Sequence, residues 1–309
     1  MPEAAVQWDN VSFTVRHGFW MRPRKIVHDI ALDIGRGCAL GLVGPNGAGK
    51  TTTIKLGAGL LRPETGQVSI FGRPAPEAAS RKCLGLLTEN QYIYPHLRLR
   101  EWLVMLAGFS GLSARQSRQR LEAVLSAVDL TARADQMMHT LSKGQLQRAG
   151  LAQALIHEPE ILFLDEPMSG LDPYWRYQVQ QMLSDFKSRG GTILFSSHIL
   201  ADVERLSDSI ALLEEGRICW RGNLSELSRN IKGYEALCRT DQTEILEKIS
   251  VNGKPELQSE GGWRVSVPVD RKDELIRLAS QGTITLDSLR PVREELEEIL
   301  FRFTSRPAK

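Results

Sequence analysis

One stretch decides the fold of this chain: Gly44-Pro45-Asn46-Gly47-Ala48-Gly49-Lys50-Thr51. It fits the pattern G-x-x-x-x-G-K-T and follows an apolar run, residues 39–43, that is typical of a buried strand. Glycines let the backbone curl so that several N–H groups point at one phosphate, and a following helix adds the positive end of its dipole. We expect Lys50 to reach the β- and γ-phosphates of a nucleotide, Thr52 to lie beside them, and Thr51 to hold Mg²⁺.

The composition indicates one large globular domain with a smaller one attached. The chain has 309 residues, of which 42% are hydrophobic and 25% charged, and its net charge of +2 conceals no long block of one sign. This balance favours neither nucleic-acid binding nor a polybasic membrane anchor. No segment approaches the roughly 18 consecutive apolar residues of a membrane helix, and the N-terminus has no apolar leader. We therefore expect any role at a membrane to come through another polypeptide.

The cysteines argue against a metal or redox site. They lack C-x-x-C spacing, which favours reduced thiols in the cytosol. The four are Cys38, Cys83, Cys219 and Cys238. One basic and aromatic stretch, residues 19–25, is suited to lipid headgroups or a membrane partner, although a solvated loop between two strands is the expectation. It contains Phe19, Trp20, Met21, Arg22, Arg24 and Lys25.

The order of apolar patterns predicts an α/β core with an insertion. Strands are expected at about residues 4–15 and 26–34, and a helix follows the phosphate loop to about Leu61. From about residue 96 to 140 the apolar positions recur at helical spacing, which predicts a helical subdomain. After about residue 232 short elements alternate and predict a small α+β domain. Its strands are expected near 234–239, 263–269 and 283–286, and its helices near 243–249, 272–279 and 293–303.

Polar residues follow two later apolar runs. Asp165 and Glu166 come directly after residues 161–164, and His198 follows residues 192–195. Because ligands bind beyond the carboxyl ends of parallel strands, we expect these side chains to face the nucleotide. Asp165 would hold Mg²⁺ through water, and Glu166 would act as general base on the attacking water. His198 would form a hydrogen bond to the γ-phosphate.

A further helix is predicted to begin after Ser142, in the stretch Leu141-Ser142-Lys143-Gly144-Gln145, with Ser142 as its N-cap. These motifs together resemble the ATP-binding subunit of ABC transporters. Its Walker A corresponds to Gly44–Thr51, its signature to Leu141–Gln145, its Walker B to Ile161–Glu166, its D-loop to Ser169–Asp172 and its switch histidine to His198. All five occur in the family order, and the resemblance covers about residues 4–228.

The resemblance implies an α/β fold, a P-loop NTPase core of ABC type with an inserted helical subdomain, for residues 1–232. The small α+β C-terminal domain, residues 233–309, is predicted from the change of pattern alone. The resemblance also implies a head-to-tail dimer, with an identical copy as the expected second subunit. Ser142, Gly144 and Gln145 of one copy would close on ATP and Mg²⁺ held by the other, and Asp172 would serve communication across the dimer.

On the same resemblance, hydrolysis by Glu166 would release the halves and drive a separate polytopic membrane permease. The chain would lie on the cytoplasmic side of the cell membrane, attached through that permease, with no nucleic-acid partner. The C-terminal segment could be regulatory, could stabilise the dimer or could bind cargo, and stabilisation of the dimer is the favoured hypothesis.

Three positions depart from the family pattern. Asn90 stands where a glutamine usually contacts Mg²⁺ and the water, although Gln91 could serve instead. Lys143 replaces the first glycine of the signature and either adds a cation near the phosphates or points to solvent, which we favour. Val15 falls near the position where the family has an aromatic residue that stacks on adenine. Stacking would then come from Phe13, Phe19 or Trp20, or would be weak.

Within the family, the chain is similar to the ATPases of ABC-2-type exporters. The similarity lies in Thr88-Glu89-Asn90, followed by Tyr92, Ile93 and Tyr94, and in the pattern of residues 142–148. Tyr92 to Tyr94 would form an aromatic patch that either docks the coupling helix of the permease or packs locally. An alternative is a non-transport ABC ATPase acting on the ribosome or DNA. A single set of motifs without sustained heptads favours the exporter.

Overall fold

The computed structural model describes residues 4–17, 21–91, 93–224, 231–251, 254–258, 261–293 and 298. The chain divides into two compact units, Met1–Gly222 and Asn223–Lys309. The boundary expected near residue 232 from composition thus falls inside the second unit. Nearly all of the helix predicted at 293–303 lies outside the described residues, as do Phe19, Trp20 and Tyr92.

An antiparallel sheet begins the first unit. It consists of β1 (Ala4–His17), β2 (Arg22–Gly35), β4 (Thr65–Ile70) and β5 (Arg73–Pro74) in the order β2-β1-β4-β5. The hairpin of β1 and β2 is long, and several register shifts interrupt its pairing. Such irregularities bend a ribbon and increase its twist.

A second sheet of six strands carries the apolar runs seen in the sequence. The strands are β3 (Ala39–Val43), β6 (Leu84–Leu87), β7 (Ile161–Leu164), β8 (Thr192–Ser197), β9 (Ser209–Glu214) and β10 (Arg217–Asn223), in the order β10-β9-β3-β8-β7-β6. β3 pairs in parallel with β8 and β9, and β7 with β6 and β8. Every residue of β3, β7 and β8 is buried, as expected for parallel strands covered on both faces. Their carboxyl ends therefore meet at one edge.

Helix α1 (Lys50–Gly57) follows the phosphate loop and packs against both sheets. The core beside it contains the stacked rings of Trp8 and Phe163, whose centroids are 6.0 Å apart. The predicted extension of this helix to Leu61 is wrong. The helix ends because Gly59 adopts a left-handed conformation, with φ of 67°, just beyond the C-cap.

The segment expected to be helical contains α3 (Leu99–Phe109) and α4 (Ala114–Ala127), with 3₁₀ turns at Thr131–Arg133 and Met138–Thr140. Both helices contact α5 (Lys143–Leu155). The remaining helices of this unit are α2 (Ala78–Arg81), α6 (Pro173–Ser188) and α7 (Leu200–Leu206). In the described part of the chain, no helix combines the length and apolar character needed to cross a bilayer.

The second unit has the order β11 (Ile231–Arg239), α8 (Thr243–Ile249), β12 (Glu256–Leu257), β13 (Trp263–Pro268), α9 (Lys272–Ser280) and β14 (Thr285–Arg293). The antiparallel strand order is β12-β13-β11-β14, which is the split βαβ arrangement of ferredoxin-like domains. Its core joins one face of the sheet to both helices through Ala236, Cys238, Leu246, Ile249, Val265, Val267, Leu275 and Ile284. The predicted α+β class is confirmed, although β12 was missed and β14 is longer than expected.

Candidate nucleotide-binding site

The phosphate loop connects β3 to α1, and its glycines are required by space and conformation. A Cβ on Gly44 would lie 2.1 Å from the carbonyl oxygen of Leu213, and Gly47 has φ of 82°. Gly49, the N-cap of α1, has φ of 105°. The loop passes close to its neighbours and aims the free N–H groups of the helix start at the space in front of it.

Lys50 and Thr51 begin the helix and have different partners. Lys50 is buried, and its ammonium donates to the carbonyl oxygens of Gly44, at 2.6 Å, and Pro45, at 3.1 Å. A lysine has three N–H donors, so one remains for a ligand. The Thr51 hydroxyl donates to Asp165 Oδ2 at 2.6 Å. A hydroxyl and a single carboxylate fit Mg²⁺, which binds few protein oxygens when substrate phosphates complete its coordination.

Asp165 and Glu166 follow β7 and are organised by Ser196 of β8. The Ser196 hydroxyl donates to Asp165 Oδ1 at 2.7 Å and accepts the Glu166 N–H at 2.9 Å. Gln147 on α5 donates its side-chain amide to the Glu166 carbonyl oxygen at 2.9 Å. These bonds hold Glu166 in the left-handed region, with φ of 50°, a conformation that costs a non-glycine residue about 1–3 kcal/mol. The backbone that presents the carboxylate is thus held on both sides.

The Glu166 carboxylate contacts His198, which follows β8. Glu166 Oε2 lies 2.8 Å from His198 Nδ1. The Glu166 side chain is 12% exposed and the His198 imidazole 58% exposed, so the carboxylate is mostly buried and the imidazole faces open space. The two strand ends therefore bring together the acid and the histidine expected from the sequence.

A cavity of about 580 Å³ lies in front of these groups. Its lining includes most of the residues expected from the loop and the strand ends: Asn46, Gly47, Gly49, Lys50, Thr51, Thr52, Asp165, Glu166 and His198. The wall also contains four residues that the sequence did not indicate as ligands: Arg24, Ile26, Glu89 and Ser169.

The two candidates for the glutamine position do not line the cavity. Asn90 is exposed, and its neighbour Glu89 lines the wall instead. The Gln91 amide donates to Gln147 Oε1 at 3.4 Å and lies so close to α5 that a Cβ on Gly150 would be 2.1 Å from its Nε2. The cavity wall thus contains Glu89 and not Asn90, and a role for Asn90 as a Mg²⁺ ligand stays a prediction.

Comparison with known proteins agrees with this geometry. The family model for the ABC transporter domain matches residues 27–169. An uncharacterised ABC transporter ATP-binding protein of Nostoc sp. is 39% identical over 286 residues, which are 92% of this chain and 84% of that protein. Nod factor export ATP-binding protein I of Paraburkholderia xenovorans is 31% identical over 82% of this chain and 85% of its own length. The chain belongs to the ABC transporter ATP-binding proteins.

Solved ABC cassettes have the same fold as this ABC subunit. An ATP-binding subunit of an ABC transporter aligns with a TM-score of 0.65 and 31% identity over 73% of this chain and 92% of that one. A dimeric ATP-binding cassette, MJ0796 bound to ADP and Pi, aligns with a TM-score of 0.66 and 24% identity over 71% and 98% of the chains, which shows the fold alone. The α/β P-loop architecture is confirmed, and the subunit binds ATP and acts as an ATPase.

The signature segment of this ABC ATPase is not part of the cavity wall. Ser142 is exposed at the N-cap of α5, where its hydroxyl accepts the Gln145 N–H at 3.3 Å and Gln145 Oε1 accepts the Ser142 N–H at 2.9 Å. Lys143 is exposed, and its stem lies against Gly170, since a Cβ on Gly170 would be 3.0 Å from Lys143 Cε. Gly144 also lies near the Gly170 carbonyl.

The D-loop leads into α6, and the start of α6 packs against α5, the helix that begins at the signature. Asp172 caps α6 by accepting the Trp175 N–H at 2.8 Å. The guanidinium of Arg148, on α5, lies 3.9 Å from the ring centroid of Trp175 and donates to the Val128 carbonyl oxygen at 3.0 Å. Burial lowers the pKa of Arg148, whose side chain is 12% exposed. The signature and the D-loop therefore share one packed support.

Proposed function

We propose that this ATPase powers an ABC-2-type exporter by ATP-driven, head-to-tail association with a second nucleotide-binding subunit, an identical copy of itself. The observation that carries the proposal is that the phosphate loop and Glu166 share one open cavity while Ser142 lies exposed elsewhere on the same unit. A second copy supplies Ser142, Gly144 and Gln145 to the open side. The first N–H groups of α5 then face the γ-phosphate.

In this proposal the phosphate loop binds ATP through its N–H groups and Lys50. The Lys50 ammonium uses two donors on loop carbonyls and directs the third to the β- and γ-phosphates. Thr51 and Asp165 hold Mg²⁺, which neutralises charge on the phosphates when bound. The hydrogen bond between Thr51 and the buried Asp165 fixes the positions of those oxygens.

Glu166 is the general base. Its carboxylate accepts a proton from water as the water oxygen attacks the γ-phosphorus, the bond to the bridging oxygen breaks, and ADP leaves. His198 holds the carboxylate at Oε2 and directs its exposed ring toward the cavity. Ser196 and Gln147 keep the backbone of Glu166 in the strained conformation that presents it. Asp172, the last residue of the D-loop, passes the state of one site to the other copy.

Export as the direction of transport is supported by the relatives named Nod factor export ATP-binding protein I. We propose that the partner is a polytopic permease and that the ATPase lies on the cytoplasmic side of the membrane, bound through it. Tyr94 is the candidate contact, because it is 56% exposed on the loop before α3. That loop is held by His139, whose Nδ1 lies 2.8 Å from the Pro95 carbonyl oxygen.

Two substitutions separate binding from hydrolysis. Glu166→Gln should retain ATP affinity and lose turnover, whereas Lys50→Ala should lose ATP affinity. Glu160→Gln is the matched control, because Glu160 precedes the same strand at its opposite end, and it should keep wild-type turnover. Phosphate release and calorimetric titration with ATP measure the two quantities. Wild-type turnover by Glu166→Gln would remove it as the base.

A pull-down tests the permease contact. The tagged Glu166→Gln chain, purified with ATP from gently solubilised native membranes, should retain a polytopic protein identified by mass spectrometry. Adding Tyr92→Ala and Tyr94→Ala should abolish that retention, and in the wild-type background the same pair should leave ATPase activity intact. Tyr177→Ala, at another exposed tyrosine, is the control. Undiminished retention with both alanines would refute the docking surface, and ribosomal or DNA-bound partners would refute the transporter role.

A further inference from the structure

One buried carboxylate of the nucleotide-binding unit lies outside the cavity wall. Asp202, on α7, is 5% exposed. Its Oδ2 accepts a hydrogen bond from the Arg176 guanidinium at 2.6 Å, and its Oδ1 accepts one from the Gln180 side-chain amide at 2.9 Å. Both donors belong to α6. A carboxylate leaves water at a high cost unless it is paired and hydrogen-bonded, and here the pairing joins two helices.

Gln180 makes the connection between α6 and α7 two-sided. Its amide nitrogen donates to Asp202, while its Oε1 accepts the Arg205 guanidinium at 3.4 Å from the next turn of α7. The same nitrogen lies 3.8 Å from the sulfur of Met168, two residues after Glu166. Because both ends of one amide are engaged by the same helix, α7 cannot slide along α6 without breaking a hydrogen bond.

The two helices directly follow two parts of the site. Asp172 of the D-loop is the N-cap of α6, and α7 begins two residues after His198. On its other side His198 is preceded by the buried strand β8, which ends at Ser197. The Ser197 hydroxyl accepts the Ile199 N–H at 3.0 Å, so the connection from strand to helix is short and bonded to itself. The position of His198 is therefore set by β8 and by α7.

Apolar packing holds another side of α7. Val203 is fully buried, and a Cβ on Gly41 of β3 would lie 2.5 Å from its Cγ1. The helix also contacts β8. These contacts keep α7 on the sheet when the ion pair to α6 is removed. A variant of Asp202 can thus remain folded while α7 loses its attachment to α6.

We propose that Asp202 is a positioning residue for ATP hydrolysis, which keeps the His198 imidazole on the Glu166 carboxylate by fixing α7 to α6. The inference rests on the proposed function, in which Glu166 is the general base. His198 Nδ1 lies 2.8 Å from Glu166 Oε2, and a shift of α7 by about 1 Å would lengthen this contact beyond hydrogen-bond distance. The carboxylate would then lose the partner that orients it toward the attacking water.

NMR of the nucleotide-free chain, with its histidines labelled with ¹³C at Cε1, tests the position of the ring without turnover. The chain has six histidines, and the His198 signal is the one that His198→Ala removes. Asn in place of Asp202 turns an N–H toward one of the two donors on α6. Asp202→Asn should therefore move the His198 signal toward its position in Glu166→Ala, and unmoved signals of the other histidines show that the chain remains folded.

Asp208→Asn is the matched control for this measurement. Asp208 follows α7 and pairs with Lys187 of α6 at 2.9 Å, so it joins the same two helices at their far end. The His198 signal should not move in this variant.

Steady-state phosphate release measures the effect on the reaction. Asp202→Asn should lower kcat about tenfold and leave the KM for ATP unchanged, because Lys50 keeps its partners in the phosphate loop. In the His198→Ala background the same substitution should lower kcat no further, since residues that act through one another have non-additive effects. Asp208→Asn should turn over like wild type.

The outcomes separate this inference from the function on which it rests. An unmoved His198 signal or a wild-type kcat in Asp202→Asn would overturn the inference. An equal fractional loss of kcat with and without His198 would overturn it as well, because Asp202 would then act on another group. A moved signal together with wild-type turnover by Glu166→Gln would refute the general base and leave the link between Asp202 and His198 intact.

Discussion

Replacing Ser196 with alanine tests whether one hydroxyl organises both acids of the site. The hydroxyl is fully buried, donates to Asp165 Oδ1 at 2.7 Å and accepts the Glu166 N–H at 2.9 Å. A hydrogen bond to a charged group contributes about 1.5–3 kcal/mol and a neutral one about 0.5–1.5 kcal/mol. We therefore expect a loss of about 2–4 kcal/mol, which should lower the melting temperature of the nucleotide-binding unit by roughly 5–15 °C.

The same substitution should change catalysis more than binding. Without Ser196 the strained backbone of Glu166 loses one of its two anchors, while Lys50 keeps its partners in the loop. We expect kcat to fall by about 10- to 100-fold, because small misplacements of a catalytic group have effects of that size, while the KM for ATP changes little. Calorimetry and steady-state phosphate release at 25 °C measure the two effects.

Ser80→Ala is the matched control. Ser80 is also buried, and its hydroxyl donates to the Pro74 carbonyl oxygen at 2.8 Å, away from the cavity. It should lose about 1 kcal/mol of stability and no activity. If Ser196→Ala matched this control in both melting temperature and kcat, the hydroxyl would not be organising the two acids.

Two further predictions concern packing and thiol chemistry. Gly57→Ala should lower the melting temperature by several degrees, because its Cβ would lie 2.3 Å from Trp8. Gly108→Ala, in open space on α3, should be neutral or slightly stabilising. Equal melting temperatures of the two variants would contradict the close packing of Gly57 against Trp8. Burial raises the pKa of Cys238 to about 11, so iodoacetamide at pH 8 should label exposed Cys219 much sooner, as followed by peptide mass spectrometry. Equal labelling rates would show that the core of the C-terminal unit is open.

The centre of the site was predictable from sequence because its parts are local. The glycines of the phosphate loop and the Lys50–Thr51 pair lie in one stretch, and their space requirements are visible in the structure. Asp165 and His198 were predictable together because both follow buried strands, and parallel strands that are neighbours end at one edge. Periodicity also located the helical insertion, since its buried residues recur at helical spacing.

The rest depends on contacts that no local pattern encodes. Arg24 reaches the cavity because β2 is bonded to Gly216 and through it to the phosphate loop, a relation between distant residues. Whether Glu89 or Asn90 faces inward depends on one residue of loop register. The strand β12 has only two residues, too few to produce an alternating pattern. The sequence could not decide these features because tertiary pairing decides them.

In the proposed function, ATP joins two copies of this chain around Glu166 and Ser142. Analytical ultracentrifugation of Glu166→Gln in MgATP, and separately in MgADP, measures this association. The chain of 34.6 kDa should sediment as a dimer in MgATP and as a monomer in MgADP, and Lys50→Ala added to Glu166→Gln should remain monomeric in both. A Glu166→Gln chain that is saturated with ATP and still monomeric would contradict ATP-driven dimerisation.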